Sequence, residues 1–195
     1  MGMAPGLPRR TEPAPRRGIP VPFTPGGPSK ASTAELAWGL ILAASKRLVQ
    51  ADAGTRRGHW RGDAGGGGYP LPANLAGERL GLVGLGQIGA RAARAGQAFG
   101  MDVLAWSQSL DDARAAEVGV RRVTKEELFE TSAVSLHLVL SARTRGIVAA
   151  ADLARMRPDA VIVNTARAGL VNQQALIDAL AAWLDGTPIR LVNAR

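Results

Sequence analysis

The sequence predicts an α/β fold, a doubly wound parallel sheet with helices on both faces, and three observations support it. From Arg79 onward, short apolar runs of strand length alternate with helical patterns, which is the order of βαβ units. The 195 residues are 46% hydrophobic and 21% charged, a composition typical of one globular domain with a buried core. A glycine-rich turn follows the first of these strands at Gly84, as in Rossmann-type domains.

The individual elements follow from the spacing of apolar residues. Strands are predicted at residues 80–83, 103–106, 120–123, 133–140 and 160–163. Helices are predicted at residues 87–99, 111–117, from 124 onward, 150–156 and 172–183. Asp111 is expected to cap its helix, and Thr124 and Glu127 have the spacing of a capping box. Ligands of such a fold bind beyond the carboxyl ends of the strands.

The part of the chain before the sheet divides into an extended segment and a helix. Residues 1–30 contain eight prolines and are predicted to be extended or disordered, because proline interrupts helices. A long helix is predicted from Ser32, which has a glutamate three residues later, and its apolar positions continue towards Ala51. The glycine-rich residues 62–72 form a predicted linker. We therefore expect residues 31–195 to form the domain.

The basic charge of the chain is concentrated near its amino end. The formal net charge is +8, and residues 1–61 hold ten of the 24 basic side chains but three of the 16 acidic ones. The rest of the chain is therefore almost neutral, and we expect no nucleic-acid partner. The alternative is a protein that binds nucleic acid through a flexible basic arm. It is suggested by a cluster of four arginines within a proline-rich stretch, namely Arg9, Arg10, Arg16 and Arg17.

Composition also excludes several kinds of site and location. The sequence has no cysteine, so it forms no disulfide framework and no thiolate metal site, and we expect no bound metal. The longest apolar run, residues 36–44, is about half the roughly 18 residues that indicate a membrane span. Residues 1–5 lack the apolar core of a signal peptide. These features predict a cytoplasmic protein without a membrane span.

The glycine-rich turn has the pattern of a dinucleotide-binding loop. Residues 84–89 read Gly-Leu-Gly-Gln-Ile-Gly, with a predicted strand before them and a predicted helix after them. Gly84 permits a tight turn, Gly86 lets a pyrophosphate approach the backbone, and Gly89 lets the helix pack closely. We expect Gly84, Gly86, Gln87, Ile88 and Gly89 to bind NAD or NADP at the helix N-terminus. The alternative is a glycine-rich turn without a ligand.

The sequence leaves the choice between NAD and NADP open. An acidic residue at the end of the second strand normally binds the adenosine ribose, and Ser107 stands at that position. Gln108 and Ser109 are also neutral, and no arginine is adjacent in the sequence. Ser107 is therefore predicted to face the ribose without a strong preference for either cofactor.

Several segments resemble the D-isomer-specific 2-hydroxyacid dehydrogenases, in family order over residues 17–182. In the first half these are Arg17-Gly18-Ile19-Pro20-Val21, Thr24-Pro25-Gly26, Ser32-Thr33-Ala34-Glu35, Gly58-His59-Trp60, Leu75-Ala76-Gly77 and Gly84 to Gly89. Later come Ser135-Leu136-His137-Leu138, Thr144-Arg145-Gly146 and Val163-Asn164-Thr165-Ala166-Arg167-Ala168-Gly169-Leu170-Val171.

The resemblance implies an oxidoreductase that transfers hydride between NAD or NADP and a small 2-hydroxy or 2-keto acid. Arg167 matches the family's catalytic arginine, which binds the substrate carboxylate and polarises the keto oxygen; a surface ion pair is the alternative. The resemblance also implies a homodimer formed through the helix predicted from Ser32. Five further residues match positions that line the cofactor, namely Leu138, Val139, Thr144, Thr165 and Ala166. Val139 departs from the proline usual at its position.

Other features of the family are missing from this sequence. His137 lies in a strand-like motif where the family also has a histidine, so we do not expect it to be the catalytic acid, and His59 is expected at the surface or a dimer contact. The family's glutamate and acid/base histidine are not found between Arg167 and Arg195. The substrate-domain half expected before Arg17 is also absent, so the resemblance implies an enzyme changed by truncation or by an altered reading frame. A catalytically inactive dinucleotide-binding module is the alternative.

Overall fold

A five-stranded parallel sheet forms the centre of the protein. The computed structural model describes residues 29–59 and 72–184. The strands are β1 (Arg79–Val83), β2 (Asp102–Trp106), β3 (Arg121–Arg122), β4 (Ala133–Leu136) and β5 (Val161–Asn164). Their order across the sheet is β3-β2-β1-β4-β5, and every pair is parallel. This confirms the Rossmann-type doubly wound fold.

Seven helices accompany the strands within the described residues. They are α1 (Ser29–Ser45), α2 (Leu48–Arg56), α3 (Gln87–Ala98), α4 (Asp112–Val118), α5 (Lys125–Phe129), α6 (Ala150–Arg155) and α7 (Gln173–Leu184). A short 3-10 turn, Ala168–Leu170, follows β5. Within the described ranges, no helix is both long and apolar enough to cross a membrane.

Helices cover both faces of the sheet. Successive residues of a strand point to opposite faces, so each strand contributes side chains to two separate cores. Leu80 and Leu82 of β1 pack into a core with residues of α1, α3 and α4. Val83 belongs to a second core formed with α5, α6 and α7. Gly81 lies on the same side, where an added Cβ would be 2.8 Å from Leu128 Cγ, so α5 packs directly against β1. The sheet is thus covered on both faces.

The order of the strands creates the crevice in which a ligand can bind. From β1 the chain moves outward through β2 to β3, and it then returns to β4 on the other side of β1. The connections that leave β1 and β4 therefore turn away to opposite faces of the sheet. In open α/β sheets this topological switch point is where ligands bind.

The amino-terminal helix differs from the sequence prediction. It begins at Ser29 instead of Ser32, so Ser32 lies inside α1 and the predicted capping box is wrong. It also ends at Ser45 instead of continuing, because the Ala73 amide donates to the Ser45 carbonyl at 3.0 Å and Arg47 adopts a left-handed conformation with φ of 53°. The extended segment and the linker predicted at residues 1–30 and 62–72 lie almost entirely outside the described residues.

Two local expectations near the sheet are also corrected. β4 ends at Leu136 instead of Leu140, because its neighbour β1 ends at Val83 and turns away at Gly84. Thr124 caps α5 as predicted, accepting a hydrogen bond from the Glu127 amide at 3.2 Å. The capping box is incomplete, however, because the Glu127 carboxylate instead accepts from the guanidinium of Arg121 at 2.7 Å.

The capping prediction at Asp111 is confirmed. Its side chain accepts a hydrogen bond from the Arg114 amide at 2.7 Å and so fixes the start of α4. The predicted domain bounds, 31–195, remain a prediction, because residues 60–71 and 185–195 lie outside the described part of the chain.

Candidate functional site

A cavity of about 570 Å³ lies at the switch point, beyond the ends of β1, β2 and β4. Its walls come from the glycine turn after β1, the loop after β2 that leads into α4, and the loop after β4. The lining residues are Gly84, Leu85, Gly86, Ser107, Gln108, Ser109, Leu110, Arg114, His137, Leu138, Val139, Ser141, Arg143, Thr144 and Ile147. Among the residues predicted to bind the cofactor, Gly84, Gly86, Ser107, Leu138, Val139 and Thr144 meet here.

The three glycines of the turn have different surroundings. Gly84 has φ of 102°, and an added Cβ would be 2.9 Å from Leu138 Cδ2, so a side chain is excluded there. An added Cβ at Gly89 would collide with the carbonyl oxygen of Gly84, since α3 approaches the turn closely. At Gly86 an added Cβ would have no neighbour within 4 Å. The fold therefore needs glycine at Gly84 and at Gly89, whereas the space above Gly86 is open.

The start of α3 faces this open space. Gly86 is the N-cap residue, and no side chain caps the helix. The side chain of Gln87 is turned aside, because its oxygen accepts a hydrogen bond from Lys30 Nζ at 2.7 Å. The first amides of a helix lack partners within the helix, so Gln87, Ile88 and Gly89 can present N–H groups to an anion. The residues present therefore fit the pyrophosphate of a dinucleotide.

The loop after β4 is held in shape by one threonine. The Thr144 hydroxyl donates to the carbonyl of Val139 at 2.7 Å and accepts from the amide of Ser141 at 2.7 Å. Val139 lies at the mouth of the cavity with 83% of its surface exposed. Thr144 thus fixes the loop in addition to lining the cavity, a function that its position in the motif did not reveal.

The walls of the cavity also contain two arginines that sequence reasoning missed. Ser107 is half-buried directly after β2, next to Gln108 and Ser109. The sequence places no arginine beside them, yet the fold brings Arg114 of α4 and Arg143 of the β4 loop to the same cavity. Neither was detectable from local sequence, because one is a helical turn beyond Asp111 and the other belongs to a different βα connection.

His137 follows the last residue of β4, and its environment keeps it neutral. Its amide donates to the Val83 carbonyl at 2.9 Å, and its Nε2 atom is buried without a hydrogen-bond partner among the described residues. Burial lowers the pKa of the His137 imidazole to about 4. A neutral imidazole is a poor proton donor near pH 7. His59, the other histidine, lies after α2 and lines neither this cavity nor the groove described next.

A second groove, of about 610 Å³, lies along β5. Of the predicted site residues, Thr165, Ala166 and Arg167 line it, together with residues of α1, α2, β5 and α7. The structure therefore separates these three residues from those that line the first cavity, whereas Gln87, Ile88 and Gly89 form the start of α3 and line neither space. The Oγ1 atom of Thr165 is buried and has no hydrogen-bond partner among the described residues.

Arg167 lies in a turn that is fixed by Asn164, the last residue of β5. The side-chain Nδ2 of Asn164 donates to the Arg167 carbonyl at 3.0 Å, and its Oδ1 accepts from the backbone amide of Ala166 at 3.1 Å. The Arg167 guanidinium is exposed and donates to the Ala166 carbonyl at 2.8 Å. It makes no ion pair within the described residues, so the alternative of a surface ion pair receives no support.

Comparison with known proteins identifies relatives over most of the chain. Residues 38–185 match the model of the D-isomer specific 2-hydroxyacid dehydrogenase, NAD binding domain. A glyoxylate reductase of Thermococcus litoralis is 38% identical over 180 residues, which are 90% of this chain and 54% of that protein. A D-3-phosphoglycerate dehydrogenase of Methanocaldococcus jannaschii is 36% identical over 171 residues, 87% of this chain and 32% of that protein. The chain thus spans at most about half the length of these relatives.

Solved structures agree with these matches. A phosphoglycerate oxidoreductase from Vibrio cholerae superposes with a TM-score of 0.75 at 37% identity, covering 93% of this chain and 57% of that chain. A D-lactate dehydrogenase from Aquifex aeolicus, solved as a complex with NAD and lactic acid, gives a TM-score of 0.75 at 27% identity, covering 91% of this chain and 51% of that chain.

Proposed function

Because this chain belongs to the D-isomer-specific 2-hydroxyacid dehydrogenases and contains their NAD-binding domain, we propose that it binds the dinucleotide of such an enzyme. The reaction proposed for the whole protein is hydride transfer between the nicotinamide and a small 2-hydroxy or 2-keto acid. One observation carries the proposal: the turn at the switch point excludes side chains at Gly84 and Gly89 yet leaves the space above Gly86 open.

The residues of the cavity have distinct proposed roles. The amides of Gln87 and Ile88 bind the pyrophosphate at the start of α3, with Gly86 giving room for it. Ser107 faces the adenosine ribose, and Leu138, Val139 and Thr144 contact the adenine side of the cofactor. The bound cofactor supplies or accepts the hydride. Thr165 and Ala166 follow β5, the neighbour of β4, and are proposed to contact the nicotinamide end from the second groove.

Arg167 is the proposed catalytic residue of this chain. A guanidinium offers a fixed fork of donors that matches a carboxylate, and each charged hydrogen bond contributes about 1.5–3 kcal/mol. Asn164 holds the turn that carries Arg167, and the guanidinium has no acidic partner among the described residues. Arg167 is therefore free to bind the carboxylate of the 2-keto acid and to polarise its keto oxygen.

A cofactor titration with a matched pair of variants tests the proposal. The fluorescence of NADH and of NADPH is followed in separate titrations of the wild-type chain, Gly86→Val and Gly39→Val. An added Cβ at Gly39 or at Gly86 would have no neighbouring side chain or loop within 4 Å, but of the two only Gly86 lines the cavity. We expect Gly86→Val to lose binding while keeping its circular dichroism, and Gly39→Val to bind like the wild type. A folded wild-type chain that binds neither cofactor below millimolar concentration would refute the proposed function.

A homodimer formed through α1 and a cytoplasmic location are further parts of the proposal. Leu36 and Leu40 on α1, and Leu48 and Val49 on α2, are 45–57% exposed, which is unusual for large apolar side chains in a monomer. Light scattering with size-exclusion chromatography should give the mass of a dimer for the wild type. The double variant Leu36→Glu, Leu40→Glu should give that of a monomer. Fractionation of cells that contain the tagged chain tests the location.

A further inference from the structure

The cavity at the switch point has an uneven distribution of charge. Its lining includes two arginines, Arg114 and Arg143, and no aspartate or glutamate. Both arginines lie near the residues of the proposed adenosine end, since Arg114 is in the first turn of α4, which follows the loop of Ser107, and Arg143 precedes Thr144. A ligand in this cavity therefore meets positive charge in the region beyond β2, where the fold usually has a carboxylate.

Arg143 lies in a turn with a fixed backbone, and its side chain makes no ion pair among the described residues. The hydrogen bonds of Thr144 to Val139 and Ser141 fix the turn on which Arg143 lies. Its side chain is exposed, and among the described residues it makes no ion pair. A fixed backbone with an unpaired guanidinium suits the binding of a mobile anionic group.

Arg114 stands on the other wall and is already oriented. The backbone amide of Arg114 donates a hydrogen bond to the Asp111 carboxylate at 2.7 Å, and its guanidinium donates to the Glu117 carboxylate at 2.7 Å. The Arg114 side chain is still 43% exposed, and an exposed ion pair of this kind contributes little to stability. Glu117 therefore holds the guanidinium in place without preventing its further N–H groups from binding an anion.

The anion that suits this arrangement is the 2′-phosphate of NADP. NAD and NADP differ in that one group, which carries nearly two negative charges near pH 7. A carboxylate at the end of β2 would repel it, but Ser107 and Ser109 offer neutral hydroxyl groups instead. We propose that Arg114 and Arg143, with the hydroxyl of Ser107, bind the adenosine 2′-phosphate, so that the chain selects NADP(H) over NAD(H). This rests on the proposed function, since it concerns the same cavity.

The test compares the two cofactors across three single variants. Affinities for NADPH and NADH are measured by nicotinamide fluorescence in the wild type, Arg114→Gln, Arg143→Gln and Arg145→Gln. Arg145 is the matched control, because it is an exposed arginine of the same loop that does not line the cavity. Each variant removes one positive charge, so a general charge effect would act equally in all three.

We expect the wild type to bind NADPH about ten-fold or more tightly than NADH, since charged hydrogen bonds to one phosphate support that difference. Arg143→Gln and Arg114→Gln should each reduce this ratio at least about five-fold, and Arg145→Gln should leave it unchanged. A wild type that prefers NADH, or equal effects of all three variants on the ratio, would overturn the inference while leaving the proposed function intact. Failure to bind either cofactor would instead refute the proposed function.

Discussion

The cavity at the switch point, the first region, and the groove along β5, the second region, lie at the same edge of one sheet but differ in how their walls are supported. In the first, strands on both sides support the walls, and the close packing leaves no room for a side chain at Gly84 or at Gly89. In the second, β5 is the last strand of the described sheet, Arg167 is exposed, and Thr165 Oγ1 has no partner within the described residues. From this difference we expect the described residues to form the proposed cofactor site, and we expect substrate binding to need further groups.

The largest expected effect comes from adding one methyl group to the turn of the first region. Gly89→Ala should lower the free energy of unfolding by about 3 kcal/mol or more, because its Cβ would collide with the backbone oxygen of Gly84. Gly86→Ala introduces the same methyl group into open space and should change stability by less than about 0.5 kcal/mol. Urea denaturation of both variants provides the measurement, and equal stability would show that α3 is not held against the turn.

The second prediction concerns the pH dependence of stability. Well above pH 6.5, the ordinary pKa of histidine, the imidazole of His137 is neutral in both the folded and the unfolded chain. As the pH falls towards about 4, the unfolded chain binds a proton that the folded state excludes, so stability decreases. The full loss is about 3 kcal/mol, since each unit of pKa difference corresponds to about 1.4 kcal/mol.

Urea denaturation at a series of pH values from 7 to 4 measures this loss, and the His137→Gln variant is the control. The wild type should lose more stability than the variant over that interval. The same pH dependence in both proteins would show that His137 is solvated and is free to act as an acid, contrary to its environment in the structure.

A substitution at Ser107 sharpens the chemistry of the first region. Ser107→Asp should shift the ratio of NADH to NADPH affinity about ten-fold towards NADH, because a carboxylate accepts from the ribose hydroxyls and repels the 2′-phosphate. Fluorescence titration with both cofactors measures this ratio, with Ser141→Asp as a control at another serine of the cavity. If Ser107→Asp leaves the ratio unchanged, Ser107 does not face the ribose.

The smallest expected effect lies in the second region. Asn164→Ala removes the two side-chain hydrogen bonds that fix the turn before Arg167 and should cost about 1 kcal/mol of stability, since the bonds are exposed. The affinity for NADH should change much less than in Gly86→Val, because Asn164 lines only the groove along β5. Thermal unfolding combined with the same titration measures both effects. A large loss of cofactor affinity would show that the two regions act as one site.

Local sequence signals were sufficient to predict the sheet and the turn. The strands are indicated by short apolar runs, and the turn by the closely spaced glycines at 84–89. Asp111 caps α4 by accepting a hydrogen bond from the amide of Arg114, three residues later. The break between α1 and α2 was not predictable, because it depends on a contact between Ser45 and Ala73. Arg143 was missed for the same reason, since folding alone brings it to the cavity that contains Ser107.

The separation of the predicted site residues had a similar cause. Motif order places Thr165 and Ala166 with the cofactor residues, but their position in space depends on β5 and on the helices beside it. The pKa of His137 was also beyond sequence reasoning, because it is set by burial after β4. Its neutral state agrees with the expectation that it is not the catalytic acid.

One fluorescence experiment tests directly whether this chain binds the cofactor without carrying out the substrate chemistry. NADPH is bound to the 195-residue protein until its fluorescence rises, and glyoxylate, pyruvate, hydroxypyruvate or phenylpyruvate is then added. Hydride transfer to a keto carbon needs a proton donor, His137 is neutral, and Arg167 is open to water, which weakens its effect. We expect the fluorescence of the bound NADPH to persist. Its decay at an ordinary enzymatic rate of about 1–10³ per second would show instead that this chain completes the reaction by itself.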